Sequence, residues 1–254
     1  MACTGTSARV LLVTGASRGI GAACALRAAA AGWDVGINFH RDEAAAERIA
    51  AQVRALGRRA CVLQADVASE AAIEAMFKAL DAELGPLGGL VNNAGIVDVA
   101  SRVDEMSAAR VARLFNVNVV GAFVCAREAV RRMSTRHGGR GGVIVNLSSA
   151  AARLSSPGIY VDYAATKAAI DNFTLGLARE VAAEGIRVNG VRPGIIDTEI
   201  HATSGMLERA RAQVGQIPLQ RMGTADEVAR SVEFLLSDAS AYMTGATLDV
   251  TGGR

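Results

Sequence analysis

The sequence predicts one α/β domain: a doubly wound, seven-stranded, mostly parallel sheet with helices on both faces. Three observations predict it. Short apolar runs of strand length alternate with helical stretches from one end of the 254 residues to the other. The first run passes through a glycine-rich turn into an alanine-rich helical stretch. No linker, internal repeat or low-complexity segment divides 1–254, and about 250 residues is an ordinary length for a single α/β unit.

Taken in order, Arg9 to Val13 is a short apolar strand, and Thr14 to Gly21 is the turn, with a helix to about Ala31. Asp34 to Phe39 is the second strand, followed by a polar helix from Asp42 to Leu56. Arg59 to Ala65 is the third, ending at Asp66-Val67, with a helix to about Leu84. Gly89 to Val91 leads into the small residues Asn92-Asn93-Ala94-Gly95. One long helical stretch, Ala109 to Met133, contains Asn116 and Asn118. Gly138 to Gly142 reads as a surface turn. Val143 to Leu147 is a strand closing on Ser148-Ser149, and a helix without proline covers Ala168 to Ala183. Arg187 to Val191 is a strand that runs on to Pro193-Gly194. Ile195 to Met222 reads as loop or weak helix, Ala225 to Leu236 as a helix, and Thr247 to Val250 as the last strand.

Composition excludes several classes. Net charge is +2, from 27 basic and 25 acidic residues, so no electrostatic case exists for nucleic acid or an anionic membrane. Arg127, Arg131, Arg132 and Arg136 recur at helical spacing and read as a solvated helix face. Arg131 and Arg132 also leave a dock for an acyl carrier protein open. No run of 18 uncharged apolar residues suggests a membrane span, and Met1 to Arg9 lacks the order of a signal peptide. Cys3, Cys24, Cys61 and Cys125 are isolated, which suits a reducing, cytoplasmic setting. His40, His137 and His201 are scattered, and no metal site is expected.

Glycines in the first turn permit close approach, and free N–H groups at a helix N-terminus favour phosphate. A plain tight turn has the same composition; its place at the first strand–helix junction favours the phosphate reading. A binder of NAD places a carboxylate at the end of the second strand to hold the ribose hydroxyls. Asn38-Phe39-His40-Arg41 offers none. Arg18 and Arg41 would instead suit a 2′-phosphate, through charge-assisted hydrogen bonds, so NADP is expected over NAD. His40 could stack on adenine or add a charge.

Tyr163-Ala164-Ala165-Thr166-Lys167 places a phenol and an ammonium four positions apart, on one helix face. Free Tyr titrates near ~10 and free Lys near ~10.4, and an adjacent ammonium lowers a phenol towards the range useful for acid/base work. A packed ring beside a solvated amine has the same spacing.

Together these motifs resemble the classical short-chain dehydrogenase/reductase family over essentially the whole chain. The residues that carry the resemblance are Thr14-Gly15-x-x-x-Gly19-x-Gly21, Asp66-Val67, Asn92-Asn93-Ala94-Gly95, Asn118 with Phe123, Ser148-Ser149, Tyr163-x-x-x-Lys167, and Pro193-Gly194 with Thr198. Among subgroups the chain is most similar to bacterial 3-oxoacyl-acyl-carrier-protein reductases and glucose dehydrogenase-like reductases. The resemblance implies a Rossmann domain that interconverts a ketone and a secondary alcohol. Gly15, Ser17, Gly19, Ile20 and Gly21 would line the pyrophosphate turn, with Arg18, His40 and Arg41 at the adenosine ribose. Asp66 and Val67 would hold the adenine end, and Asn93, Ala94 and Gly95 would follow the ribose. Pro193, Gly194, Ile196 and Thr198 would position the carboxamide. Tyr163 would donate the proton, Ser149 would bind the same oxygen, and Lys167 would lower the Tyr163 pKa and bind the nicotinamide ribose. Asn118 would hold a water linking Lys167 to solvent, or else brace the backbone at a helix kink.

The family's serine precedes its tyrosine by about thirteen residues; here Ser149 is fourteen before Tyr163 and Ser148 fifteen. The Pro157 to Asp162 stretch looks one residue longer than usual, which leaves Ser149 in the family's place and Ser148 as the alternative. Tyr160 has Ala164, not lysine, four residues on. The resemblance further implies a homotetramer built by helix pairing, and a substrate lid over 194–223. A non-catalytic dinucleotide sensor of the same fold is the alternative, although such a protein is expected to lose Tyr or Lys.

Overall fold

The computed structural model describes residues 9–198 and 214–254. Strands β1 (Arg9–Val13), β2 (Trp33–Phe39), β3 (Ala60–Gln64), β4 (Leu87–Asn92), β5 (Gly142–Leu147), β6 (Ile186–Pro193) and β9 (Thr247–Val250) form one seven-stranded sheet in the order β3-β2-β1-β4-β5-β6-β9. Every pairing in it is parallel, not merely most of them. Two further short strands, β7 (Ile196–Asp197) and β8 (Gly223–Thr224), pair with each other.

The strands are buried on both faces because their side chains alternate. Leu11 and Val13 of β1 join a core with the inner faces of α1 (Gly19–Ala30), α2 (Glu43–Ala55) and α8 (Ala225–Leu236). Val10 and Leu12 join a second core with α3 (Glu70–Leu84), α5 (Gly121–Met133) and α7 (Val161–Val181). Phe77, Ile73 and Leu80 of α3 are fully buried, and each such side chain contributes about 1.5–3 kcal/mol. Cys24, Cys61 and Cys125 are free and buried, and burial pushes each thiol up to about 12.

Three elements differ from or extend the sequence reading. The stretch expected as one helix over Ala109 to Met133 is α4 (Ala108–Phe115) and α5, joined by a π-helical segment, Asn116–Val120. Close approach explains the break: Gly121 lies where an added Cβ would sit 2.5 Å from the Val67 carbonyl oxygen, and the Asn116 amide donates to the Ala68 carbonyl (3.1 Å). α7 begins at Val161, ahead of the Ala168 at which the apolar pattern starts, and carries Tyr163 and Lys167 on one face as expected. Its first turn carries buried Asp162, whose carboxylate accepts from the Tyr163 N–H (2.9 Å) and from Arg110 Nε (2.8 Å). The segment read as loop or weak helix from Ile195 contains β7; the rest of the expected 194–223 lid lies largely outside the described residues.

The α5 arginines are not simply solvated. Arg127 pairs with Glu70 and Glu74, Arg131 with Glu128, and Arg132 with Asp81 and Glu128. They form a lattice with carboxylates of α3 and α5, so this face offers little net positive charge to an acidic partner. The Ala108–Met133 run is apolar enough on average to pass for a membrane span, but Ala126, Ala129 and Met133 are buried in the domain core.

Replacing an interior helical Gly with Ala ordinarily stabilises by about 1 kcal/mol. At Gly121 the contact with the Val67 carbonyl outweighs that gain, because backbone cannot yield as a side-chain tip can. Gly121→Ala should lower unfolding stability by about 1–3 kcal/mol, read as a reduced urea midpoint at unchanged slope. An unchanged or raised midpoint would show that the close approach does not constrain this position.

Candidate active site

The site begins where the strand order reverses. β1 has β2 on one side and β4 on the other, so the crevice beyond its carboxyl end lies between two diverging halves of the sheet. The turn after β1 is fixed from both sides. Thr14 Oγ1 accepts from the N–H groups of Asn93 and Ala94, both at 3.0 Å. The Asn93 amide donates back to the carbonyls of Thr14 (2.9 Å) and Gly15 (3.1 Å). From the β2 side, Asn38 Oδ1 accepts from Gly15 N–H (3.0 Å), while its amide donates to the Leu63 and Ala65 carbonyls. Only glycine fits at Gly21, where a Cβ would stand 2.4 Å from the Gly15 carbonyl oxygen. Asn38 had entered the sequence reading only as a missing acid; its bracing role has no local signal.

The expected adenosine-side residues gather at this end of the sheet. Arg18 is the exposed N-cap residue of α1, and the Ala16 N–H beside it donates to the Asn38 carbonyl (2.8 Å). Arg41 is exposed just after β2, and His40 Nε2 lies 3.6 Å from Asp66 Oδ2, both side chains about half exposed. Asp66 Oδ1 accepts from Ala68 N–H (2.9 Å). The Val67 side chain is buried in the core, so only its backbone faces the crevice end.

Nearer the middle, one cleft collects Ile20, Asn93, Gly95, Ser149, Tyr163, Lys167, Pro193, Gly194, Ile196 and Thr198. These come from five separate stretches of the chain. Gly15, Ser17, Gly19, Gly21 and Ala94 lie beside the cleft rather than in its wall; Thr198 reaches Gly19, whose added Cβ would be 3.7 Å from it. Ile195 of the expected lid also lines the cleft, and residues not anticipated there include Val97, Leu154, Ser156, Tyr160 and Arg254. Tyr160 packs edge-on against Tyr163, with ring centroids 5.7 Å apart. Backbone at Ser155 and Ser156 takes positive φ (59° and 47°), an uncommon conformation that fits the lengthened loop.

The two serines after β5 do different things. Ser148 is buried and donates to the Lys167 carbonyl (3.0 Å), pinning α7. The Ser149 hydroxyl accepts from Ala151 N–H (3.1 Å) and lines the same cleft as the Tyr163 phenol. Lys167 is 5% exposed, and its ammonium donates to the Leu147 carbonyl (2.8 Å) and lies 5.7 Å from the Tyr163 ring centroid. Burial pulls it down to about 8, against the pull of Asp171. Burial pushes the Tyr163 phenol up to about 12; neighbouring Ser149 opposes this, and Tyr160 adds to it. The expected lowering of Tyr163 by Lys167 is therefore not what this arrangement gives: desolvation dominates, and the ammonium bonds a backbone carbonyl.

Asn118, in the π segment, is buried and braces backbone. It accepts from Ile96 N–H (2.8 Å) and donates to the Ile96 carbonyl (2.9 Å) and Thr166 Oγ1 (3.1 Å). Both amide protons are thereby used, so the side chain performs the bracing role at the kink. Gly95 permits the convergence: a Cβ there would meet Asn118 Oδ1 at 3.3 Å and Lys167 Nζ at 3.5 Å. Among the described residues, no group of three His, Cys, Asp or Glu side chains could hold a metal ion.

Comparison with known proteins agrees with this geometry. A family model described as enoyl-(acyl carrier protein) reductase matches residues 15–254. The oxidoreductase YgfF of Escherichia coli (strain K12) is 50% identical over 96% of this chain and 99% of its own. The 3-oxoacyl-[acyl-carrier-protein] reductase FabG of Staphylococcus aureus (strain Mu50) is 38% identical over 95% of this chain and 96% of its own. A short-chain dehydrogenase of Burkholderia cenocepacia, solved in complex with NADP, superposes with a TM-score of 0.89 at 37% identity over 97% of both chains. A match of this breadth, on an all-parallel sheet with the turn, serine pair and Tyr-Lys helix in place, is decisive for family: the chain belongs to the classical short-chain dehydrogenase/reductase oxidoreductases.

Proposed function

We propose that this chain is an NADP(H)-dependent oxidoreductase that interconverts a ketone and a secondary alcohol, with Tyr163 as general acid/base. The observation that carries the reading is the gathering of Ser149, Tyr163 and the buried Lys167 ammonium in one cleft with the glycine-turn residue Ile20 and the Pro193-Gly194 loop. The residues fit a dinucleotide. Gly15 and Gly19 take positive φ (63° and 56°), which brings the backbone amides of the turn to the N-terminus of α1, and Gly21 lets the helix start pack directly on the Gly15 carbonyl. NADPH bound along that turn supplies the hydride.

The chain's own groups handle the oxygen. A phenol held near 12 is protonated at neutral pH, so Tyr163 stands as a donor to a carbonyl oxygen in the cleft. Ser149 takes the Ala151 N–H as acceptor, which orients its own O–H towards the same oxygen. Lys167, near 8, is mostly cationic at pH 7 and stabilises negative charge developing on that oxygen and on the phenol. Asp162, fixed by Arg110, starts the helix so that Tyr163 and Lys167 share its inner face. The outer cleft is walled by Val97, Leu154 and Ile195, with Ser156 and Tyr160 as polar points, which suits a small carbonyl or alcohol substrate.

NADP is favoured over NAD because Arg18, His40 and Arg41 stand where an acid would otherwise hold the ribose; the first acid after β2, Asp42, caps α2 through Ala45 N–H, and Asp66 is engaged by Ala68 and His40. The Burkholderia cenocepacia relative binds NADP. We further propose a homotetramer joined through α5 and α7, which carry the half-exposed Phe123 stacked on Phe173, with Val120 and Leu175 exposed nearby. The buried free thiols suit a cytoplasmic setting.

Tyr163→Phe keeps the ring and removes the donor. Turnover with a ketone panel should fall about 10²–10⁴-fold in a folded protein, and Ser149→Ala should cost far more activity than Ser148→Ala. Near-normal turnover in folded Tyr163→Phe would end the mechanism, and equal small losses from both serines would end the Ser149 assignment. Arg41→Ala should weaken kcat/KM for NADPH about tenfold or more and leave NADH nearly unchanged. Equal use of both cofactors by the wild type would refute the engagement of these arginines. Light scattering at micromolar concentration should give four subunits; a monomer would refute the assembly.

A further inference from the structure

Of the 27 lysine and arginine residues, only Lys78 and Lys167 are lysines. Lys78 is exposed on α3, while Lys167 is buried in the cleft. A chain of alternating charge leads away from Lys167. Asp171 lies one turn further along α7, on the same face. Its Oδ2 accepts from Arg192 Nε of β6 at 2.7 Å, with both side chains less than a fifth exposed. Arg192 Nη1 reaches Asp249 Oδ1 of β9 at 3.3 Å, its register partner, and Asp249 Oδ2 meets Arg153 Nη1 at 2.6 Å. Asp171 Oδ1 is buried with no hydrogen-bond partner among the described residues. Its carboxylate is thus held in place by Arg192 without being saturated by it.

We propose that Asp171, held by Arg192, is the positioning residue that sets the charge of Lys167, and with it the pH range in which the site works. Burial alone drives an ammonium to lose its proton. Asp171 is the one charge that opposes burial at Lys167. Other groups facing Lys167 are Tyr163 on its own helix, the Leu147 carbonyl and Ser149 after β5, Asn118 of the π segment, and Tyr160 and Arg254 on the cleft wall. Arg192, with Asp249 and Arg153 behind it, lies beyond Asp171. None of the other side chains facing Lys167 is a carboxylate. Arg192 therefore works in two directions: it fixes the Asp171 carboxylate, and its positive charge partly cancels what Asp171 does for Lys167.

The proposal rests on the catalytic reading only for its activity arm, and the direct test does not need turnover. Full-length protein labelled with 13C at lysine Cε should give two resonances, with exposed Lys78 as internal reference and Lys78→Arg for assignment. Asp171→Asn should lower the Lys167 titration midpoint by about one pH unit, and Arg192→Gln should raise it. Asp171→Glu should restore most of the wild-type value. The basic limb of the kcat/KM profile should move with the midpoint in each variant. A Lys167 midpoint unchanged in both variants, or moved the same way by both, would overturn the proposal. So would a fall in kcat at every pH with no movement of the midpoint, which is what a merely structural ion pair would give. Should Asp171→Asn not fold, the upward shift expected of Arg192→Gln decides alone. Midpoints that move as expected in a protein without turnover would refute the catalytic reading and leave this one standing.

Discussion

The site depends on how closely β1 and β4 approach at their carboxyl ends. One buried hydroxyl, Thr14 Oγ1, accepts two backbone amides from Asn93 and Ala94, and the Asn93 amide returns two bonds to the turn. Each is a bond between groups that would otherwise be buried unpaired, and leaving one unmade costs about 1–3 kcal/mol. This lock sets the separation of the two halves of the sheet. It also explains why glycine stands at Gly15 and Gly21 on one side and Gly95 on the other: the backbones meet where side chains have no room. The chemistry of the cleft is placed relative to that junction, with Gly95 against Lys167 and Asn118 against Ile96.

α7 meets the junction at an energetic cost. It brings a phenol and an ammonium out of water, and the directions of their titration record the penalty: the phenol is held up and the ammonium held down, both chiefly by burial. The helix is fixed by bonds that carry no chemistry of their own. Ser148 holds the Lys167 carbonyl, Thr166 receives Asn118, and Asp162 receives Arg110. Strong anchoring at both ends of a five-residue span lets the two functional heads remain poorly satisfied without the helix shifting away.

Much of this was legible in the sequence, and what was not has physical reasons. Strand positions, the alternation with helices and the Tyr163–Lys167 spacing follow from periods of two and 3.6, which single residues impose locally. The anchor of the α7 start was not legible, because Asp162 is paired with Arg110, 52 residues away, and no local pattern announces that partner. The π segment escaped because its cause, the Val67 carbonyl against Gly121, is a contact between separate elements. The extra residue between Ser149 and Tyr163 was visible as spacing; its outcome, positive φ at Ser155 and Ser156 with Tyr160 turned onto Tyr163, required coordinates. The sign of the Tyr163 shift was misjudged because charge is written in a sequence and desolvation is not.

Buried polar groups in this protein fall into two kinds, and the difference separates scaffold from site. Asn146 accepts from Asn92 and donates to Thr174, Asn189 donates to Met243 and accepts from Ala246, and Asp34 takes both Arg58 and Arg59. Each of their side-chain nitrogen and oxygen atoms has a partner, so they specify the fold and resist change. Lys167 carries three donors and spends one on protein, at Leu147. Tyr163 lines the cleft beside Ser149. Folding alone would select against such unmet capacity, because a buried apolar side chain of similar size carries no desolvation penalty. Its retention in a cleft beside the glycine turn marks these groups as candidates for acting on a bound molecule rather than for holding the fold.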